Sequence, residues 1–365
     1  MTISGIVGFW RTPKSFPNEH CSLTVMTKKS HSVTIRQVAQ EAGVSVATVS
    51  RYINRNTPIS EDVSKRLKTV MTDLKYTPHA AARHLASKKT WAIGLLLTNM
   101  HNDFFAPLLS GIEVITSAHQ YNLLVAVSHT STRNEGLMPV GPHNTDGLLV
   151  FADSLSDESL EDLHASGFPL VLIHRSSPKT VTIPSVTVEN KAATQKLVEH
   201  LIKVHHRKRI LFMQGPVHQE DSYWRETGYR SALYANGIGF DQNLVLRGDF
   251  ERDIANKSMN DFLSNSNHVD FDAVFAGDDD AAIGVISALK DHGVHVPNDM
   301  PVVGFDDVRF SAYLTPPLTT VSAPTEEVGR IAAEQLFSLF HKQFPEDVTL
   351  LSTELIIRRS CGCNA

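Results

Sequence analysis

The chain has 365 residues, of which 42% are hydrophobic and 20% are charged, and its formal net charge is −5. No stretch approaches the roughly 18 consecutive apolar residues of a membrane-spanning helix, so we expect neither a membrane span nor a membrane partner. Only three cysteines occur, which argues against a disulfide-stapled secreted scaffold and indicates a reduced, cytoplasmic protein.

The first predicted elements are two short helices joined by a tight turn, between Thr34 and Asn54. Thr34 suits the N-cap of the first helix, whose apolar residues at positions 35, 38, 39 and 42 follow helical spacing. Gly43 tolerates the left-handed conformation of a sharp turn, and Ser45 can cap the next helix at once. The segment therefore predicts a helix-turn-helix unit.

The second helix of this unit, SVATVSRYIN, has two different faces. Val49 and Ile53 are four residues apart and are expected to pack on the first helix. The opposite face is small, polar and cationic, and it holds Val46, Ala47, Ser50, Arg51 and Asn54. Arginine and small methyl groups read base edges in the major groove of DNA, while hydroxyls hold phosphates. The pattern favours a DNA-reading helix over a solvated helical hairpin, although alone it is weak evidence.

Charge gives an independent argument. Residues 27–90 contain twelve Lys and Arg against four Asp and Glu, a balance of +8, whereas residues 1–26 carry +1. The net charge of −5 therefore leaves −14 for residues 91–365. A basic module of about sixty residues suits DNA, which would repel the acidic remainder. The chain is predicted to combine a DNA-binding part with a second part that has another task.

A third helix and a weaker helical segment follow. Ser60 is predicted to start the third helix, which has an acidic first turn and an apolar stripe through Leu67 that closes a three-helix core. The sequence YTP at 76–78 ends this helix, and HAAARHLASKK then offers a short helix that is too small to be stable alone. This short helix is either ordered by a partner or a plain linker helix.

The segments TIRQVAQEAGVSVATVSRYIN, LKYTPHAAARHLAS and WAIGLLL resemble the LacI/GalR family of transcriptional regulators, and the resemblance extends over residues 33–360. It implies that the second helix lies in the major groove and that the short helix forms on DNA, where Leu85 wedges into the minor groove. Tyr52 and His84 depart from the family pattern, and we expect them to shift operator preference. The implied DNA-binding residues are Thr34, Ser45, Val46, Ala47, Thr48, Ser50, Arg51, Asn54, His84 and Leu85.

The resemblance also implies how such a regulator works. We expect a homodimer that binds a pseudo-palindromic operator in double-stranded DNA, in the bacterial cytoplasm and nucleoid. A small-molecule effector would close two lobes and change the order of the short helices, so that operator affinity depends on the ligand. Repression is the expected output, and the sequence leaves open whether the effector releases or promotes it. No cofactor is expected.

Residues 91–365 alternate between apolar runs and helical patterns. The runs expected to be buried strands are 92–97, 123–127, 147–151, 169–174, 209–213, 273–277 and 301–305. Such alternation is typical of doubly wound parallel α/β structure, and the length suggests two lobes. By resemblance, these lobes form a periplasmic-binding-protein-like sensor. The expected segments are 1–32 (extension), 33–76 (helix-turn-helix domain), 77–90 (hinge helix and linker), about 91–189 with 324–351 (lobe 1) and about 190–323 with 352–365 (lobe 2).

Aromatic, cationic and acidic side chains follow the predicted strands at their carboxyl ends, where open α/β sheets bind ligands. Each has an ordinary structural explanation, but together they suit a hydroxyl-rich or base-like small molecule. Motif by motif, the resemblance implies effector contacts by Phe104, Phe105, Gln219, Asp221, Arg225, Phe250, Asp278 and Asp306. A sugar or sugar derivative is the first expectation for the effector, and a nucleoside or purine is the alternative.

An enzyme is the alternative from another class. Asp278, Asp279 and Asp280 are candidate ligands of a divalent metal that would serve hydrolysis. No GxSxG, GxxxxGK[ST] or HExxH motif accompanies them. We therefore predict a regulator without catalytic residues and without a metal site.

Two segments depart from the family pattern. Residues 1–32 lack the features of a signal peptide, and we expect either a disordered extension or an upstream start assignment with Met26 as the true beginning. Residues 128–146 contain Gly and Pro where relatives have a helix, so this helix is expected to be shortened or lost and the dimer contact weakened or rearranged.

The carboxyl terminus contains two of the three cysteines. Cys361 and Cys363 supply only half of a tetrahedral metal site, so a frayed end is the expectation. His205 and His206 lie in HHRKR, where a polar loop before a strand explains them better than metal binding.

Overall fold

A computed structural model describes residues 33–54, 58–76, 89–101, 103–128, 138–265 and 270–364. These residues belong to two compact units that divide after Ala86, and each unit is described separately. The predicted extension and the predicted short helix of the linker, with His84 and Leu85, lie outside the described residues.

Three helices form the amino-terminal unit: α1 (Ile35–Glu41), α2 (Val46–Asn54) and α3 (Glu61–Asp73). Thr34 caps α1 through a reciprocal pair of hydrogen bonds with Gln37, whose side chain accepts from the Thr34 backbone N–H at 2.8 Å. Gly43 has a φ of +62°, the left-handed conformation that the turn between α1 and α2 requires. The local sequence therefore sets both the start of α1 and the angle at which α2 leaves it.

The core of this unit joins all three helices. Val38 of α1, Val49 of α2 and Leu67 of α3 are fully buried, as the apolar spacing predicts. Tyr52 is half-buried and packs against this core. The departure from the family pattern at Tyr52 is thus accommodated inside the unit.

Lobe 1 is built on a six-stranded parallel sheet. Its strands are β1 (Ala92–Leu97), β2 (Asn122–Val127), β3 (Gly147–Phe151), β4 (Leu170–Ile173), β5 (Ser185–Val188) and β11 (Val348–Leu351), and its helices are α4 (Phe105–Ala118), α5 (Asp157–Ala165) and α10 (Thr325–Phe340). The strand order is β11-β5-β4-β3-β1-β2. Every residue of β1, β3 and β4 is buried, as expected of central strands in a parallel sheet covered on both faces.

Lobe 2 has a four-stranded parallel sheet. Its strands are β6 (Ile210–Gln214), β7 (Val245–Arg247), β8 (Ala273–Ala276) and β9 (Val302–Val303), and its helices are α6 (Lys191–Lys203), α7 (Glu220–Ala235), α8 (Arg252–Ser264) and α9 (Asp279–Asp291). The strand order is β7-β6-β8-β9. Short 3-10 turns at Gln242–Leu244 and Arg309–Ala312 join elements of this lobe.

The chain passes between the lobes after β5, before α10 and after β11. At these crossings β10 (Thr320–Ser322) pairs antiparallel with β12 (Glu354–Ile356) in a sheet of its own. The lobes therefore share a base, and the carboxyl ends of β1 and β6 open on the same side, toward one cleft.

All seven strands predicted from apolar runs are present, and β5, β7, β10, β11 and β12 are additional to them. Residues 138–146 form turns and bends in place of the carboxyl-terminal part of the helix found in relatives, and residues 129–137 of this segment lie outside the described part. None of the helices in the described ranges is both long and apolar enough to cross a membrane. The expectation of a frayed carboxyl terminus is wrong, because Cys361 is fully buried.

Candidate functional site

The outer face of α2 is the candidate DNA-reading surface. Val46 is 42% exposed, and Ala47 and Arg51 are also exposed, whereas Val49 turns inward as predicted. Thr48 and Ser50 are half-buried at the edges of this face. The structure thus presents a small, apolar and cationic surface of the kind that fits a major groove.

Hydroxyl groups mark the amino-terminal ends of the first two helices. Ser45 Oγ accepts a hydrogen bond from the Thr48 backbone N–H at 3.1 Å and lies 2.9 Å from Thr48 Oγ1. Thr34 is exposed at the start of α1. Helix amino termini with exposed hydroxyls suit phosphate oxygens, so these positions are geometrically open to a DNA backbone. Asn54 ends α2, and its side chain lies outside the described part.

A cavity of about 460 Å³ lies in the cleft between the two lobes, and all eight predicted effector residues line it. Phe104 and Phe105 follow β1, Phe250 follows β7, and Asp278 follows β8. Because carboxyl ends of parallel strands meet at one edge, side chains far apart in sequence converge there. Further lining residues that the sequence analysis does not single out include Thr98, Asn99, Phe151, His218, Arg247 and Glu251.

Arg225 of α7 is at the centre of this convergence and is only 2% exposed. Its guanidinium donates to Asp306 Oδ1 at 2.8 Å, to the Gly277 carbonyl at 2.7 Å and to Asn190 Oδ1 at 2.9 Å. It also lies 3.8 Å from the ring centroid of Phe305. Charge neutralisation and hydrogen bonds together offset the desolvation of a buried cation.

Two neighbours of Asp221 were missed by sequence reasoning. His174 lies at the end of β4, and its Nδ1 is 2.8 Å from Asp221 Oδ2. Asn190 precedes α6 and donates to Asp221 Oδ1 at 2.7 Å. Burial raises the pKa of Asp221, but His174, Arg225 and Asn190 outweigh it and hold the pKa below its usual value. The only sequence signal for either residue was a polar side chain next to an apolar run.

Burial has the opposite result for two other carboxyl groups of the cavity. It raises the pKa of Asp278 well above the usual value, and the charge of Asp306 adds to this shift. Burial also raises the pKa of Asp306, although Arg225 opposes the change. A carboxyl group that keeps its proton can donate a hydrogen bond to a ligand as well as accept one.

Aromatic rings form one wall of the cavity. The ring centroids of Phe104 and Phe105 are 5.4 Å apart, and Phe151 lies 5.2 Å from Phe105 in an edge-to-face arrangement. Phe250 faces them from lobe 2 with a φ of +58°, an unfavourable value for a bulky residue. It fits there because Gly215 has no side chain; a Cβ at Gly215 would come within 2.2 Å of the Phe250 ring.

Polar contacts bridge the two lobes at the mouth of the cavity. Gln219 Nε2 donates to Asp153 Oδ1 at 3.1 Å. Glu220 accepts from the Ser176 backbone N–H at 2.9 Å and from the Ser176 hydroxyl at 2.8 Å. These contacts hold lobe 2 against lobe 1 independently of the buried arginine.

The three consecutive aspartates after β8 point to different partners. Asp278 caps α9 by accepting from the Ala281 N–H at 2.9 Å. Asp279 is fully buried and accepts from Ser311 Oγ at 2.5 Å and Thr320 Oγ1 at 2.6 Å. Asp280 pairs with Arg252 at 2.7 Å. Because the three carboxylates do not converge, the geometry does not favour the metal-dependent hydrolase alternative.

Comparison with known proteins finds a matching family for each of the two units. Residues 34–79 match the family described as bacterial regulatory proteins, lacI family, and residues 198–361 match the periplasmic binding protein-like domain. Catabolite control protein A of Priestia megaterium is 33% identical over 315 residues, which cover 86% of this chain and 94% of that protein.

Solved structures of transcriptional regulators are also similar to this chain over most of its length. The complex of the transcriptional regulator CelR with cellobiose has a TM-score of 0.65 and 28% identity, covering 90% of this chain and 99% of that one. The lac repressor dimer bound to operator and the anti-inducer ONPF has a TM-score of 0.75 with the same coverage. Its identity is 24%, so this second likeness concerns the fold alone.

Proposed function

The chain belongs to the lacI family of bacterial regulatory proteins, and from this premise we propose that it is a repressor whose operator affinity is controlled by a neutral sugar. The regulator binds DNA through the helix-turn-helix unit, and the sugar would occupy the cavity between the lobes. The observation that carries the effector assignment is the charge balance of that cavity.

Acidic groups outnumber cationic ones around the cavity. The described lining includes five carboxyl groups, from Asp221, Asp249, Glu251, Asp278 and Asp306, against two arginines. Both arginines are already paired: Arg225 with Asp306 at 2.8 Å and Arg247 with Asp249 at 2.5 Å. A sugar phosphate or sugar acid would meet no free arginine there, whereas sugar hydroxyls can both donate to carboxylates and accept from protonated carboxyl groups.

The aromatic wall supports the same assignment. Phe104 and Phe250 offer flat apolar surfaces beside the acidic groups, so a ring with one apolar face and hydroxyls at its edge fits both. The similar regulator CelR was solved with cellobiose, a neutral sugar. We therefore assign the effector roles to Phe104, Phe105, Gln219, Asp221, Arg225, Phe250, Asp278 and Asp306.

A ligand screen tests this proposal. Thermal unfolding of the full chain is measured with neutral mono- and disaccharides, sugar phosphates, sugar acids, nucleosides and purines. A ligand that binds only the native state raises the melting temperature, and we expect this for a neutral sugar, which should also change operator affinity. Stabilisation by a purine or by a sugar phosphate, with no response to any neutral sugar, would contradict the assignment.

The DNA side of the proposal follows from the exposed face of α2. Val46, Ala47 and Arg51 would contact base edges, and the hydroxyls of Thr34, Ser45, Thr48 and Ser50 would contact phosphates. We propose a homodimer that presents two copies of α2 to a pseudo-palindromic site. The domain limits proposed from the sequence, with a helix-turn-helix domain at 33–76 and a hinge at 77–90, would link effector closure of lobes 1 and 2 to the spacing of the two copies.

Replacement of Arg51 by alanine should weaken operator binding without unfolding the chain. Arg51 is exposed, so its loss leaves the core intact, while one lost base contact reduces specific affinity by about 1–3 kcal/mol, or roughly 5- to 150-fold. The operator is first selected from random duplexes, and affinity is then measured at fixed ionic strength. Arg66→Ala, which removes an exposed arginine of α3, is the control. Equal losses in both variants would mean that Arg51 contributes charge and no base reading.

A further inference from the structure

Four side chains of types that commonly bind metals, from His200, His205, Cys361 and Cys363, lie close together in lobe 2 and outside the effector cavity. His200 lies in the last turn of α6, His205 lies in the loop before β6, and Cys361 and Cys363 follow β12. One ligand atom from each residue lies within 4.8 Å of those of the other three. From the sequence alone, neither the cysteine pair nor His205 is expected to bind a metal, because the two halves of the cluster are far apart in the chain.

Three of the four ligand atoms have the mutual distances of a tetrahedral metal site. His200 Nε2 and His205 Nε2 are 3.2 Å apart, and Cys363 Sγ lies 3.6 Å from the former and 3.4 Å from the latter. Around Zn²⁺ with bonds of about 2.0 Å to nitrogen and about 2.3 Å to sulfur, tetrahedral geometry places ligand atoms about 3.3–3.8 Å apart. These three atoms have the spacing of a tetrahedral site, and Cys361 Sγ lies within 4.8 Å of each of them, so a side-chain adjustment at Cys361 would complete the site.

The segment that carries the cysteines is held in place by the fold. Ser360 Oγ donates to the Val302 carbonyl at 2.6 Å and accepts from the Thr319 N–H at 2.8 Å. Cys361 is fully buried beside Thr319. Gly362 has a φ of +102°, a left-handed conformation that favours glycine, and it lies beside His205, because a Cβ at Gly362 would be 3.5 Å from the His205 ring. The ligands are thus presented by fixed backbone.

We propose that His200, His205, Cys361 and Cys363 form a structural Zn²⁺ site through two Nε2 and two Sγ atoms. Two thiolates with two imidazoles in tetrahedral arrangement select Zn²⁺, and four protein ligands leave no open position for catalysis. The ion would clamp the carboxyl-terminal segment to α6 across about 160 residues of chain. This site is independent of the proposed effector and of the proposed operator contacts.

Metal analysis of the full chain tests the site. Protein purified without chelators should contain about one zinc per chain, and Cys363→Ser and His205→Asn should each lose most of it. His206→Asn is the matched control, because His206 is exposed next to His205 and has a φ of +56°, which asparagine tolerates. This control should retain its zinc.

A second measurement uses the unaltered protein, so the test does not depend on whether the variants fold. After zinc removal under reducing conditions, added Co²⁺ should give the intense visible bands of tetrahedral cobalt and a thiolate charge-transfer band, and Zn²⁺ should abolish both. Zinc should also raise the melting temperature of the stripped protein. A weak octahedral cobalt spectrum, zinc content equal to that of Cys363→Ser, or a Cys361–Cys363 disulfide in fresh protein would overturn the proposal.

Discussion

Arg225 has two roles in the cavity between the lobes. It balances the charge of the buried carboxylates, and it offers a contact to a ligand. Its guanidinium is bonded to Asp306, Asn190 and the Gly277 carbonyl, and it also opposes the charge of Asp221. Burial lowers the pKa of an arginine, but Asp306 and Asp221 outweigh this and raise the pKa of Arg225. The residue is therefore part of the folded core of the sensor.

Replacement of Arg225 by alanine should lower the stability of the sensor as well as abolish the effector response. Removal of one partner leaves the buried carboxylate of Asp306 without its cation, and such losses cost about 3–5 kcal/mol. Arg225→Ala/Asp306→Asn should lose less than the sum of its single variants, because the uncompensated charge is gone. Urea unfolding measures the three free energies, and strict additivity would contradict the coupling.

Gln219→Ala is the matched control for this residue. Gln219 is half-buried, lines the cavity and bonds Asp153, but it compensates no buried charge. Its loss should leave the free energy of unfolding within about 1 kcal/mol of the original value and still weaken effector binding.

Among the helices and strands, the sequence predicts those whose formation depends on a local pattern of residues. Apolar runs identify seven of the strands, and Thr34, Gly43 and Ser45 mark the limits of α1 and α2 because caps and turns are chemical requirements of single positions. The family resemblance also predicts eight effector contacts, and all eight of these residues line one cavity.

The elements and residues that the sequence did not predict are those defined by partners distant in the chain. β5, β7, β10 and β11 contain polar residues and so show no continuous apolar run, and β7 and β11 are edge strands. His174 and Asn190 acquire a role only when α7 brings Asp221 to them. In the same way, His200 meets Cys363 because β12 returns the terminus to α6, a contact that no local pattern encodes.

In the whole sensor, some of the contacts that hold the two lobes together are buried and others are exposed to solvent. The pair of His174 and Asp221 is buried near the base of the cleft, whereas the contact of Ser176 with Glu220 lies at its solvent-exposed mouth. Glu220 does not line the cavity. Its carboxylate therefore influences ligand affinity only through the equilibrium between open and closed lobes.

Replacement of Glu220 by alanine should weaken effector binding without removing any ligand contact. The lost hydrogen bonds to Ser176 are partly exposed and contribute about 0.5–1.5 kcal/mol to the closed form, so affinity should fall by roughly 2- to 12-fold. Calorimetry with the sugar found by the screen measures this change. Glu226→Ala is the control, because Glu226 lies on the same helix and bonds Gln214 and Arg230 of its own lobe. If both variants bound the sugar as tightly as the original chain, the mouth contact would not contribute to closure, and the free energy of closure would have to come from the buried pair and from the ligand itself.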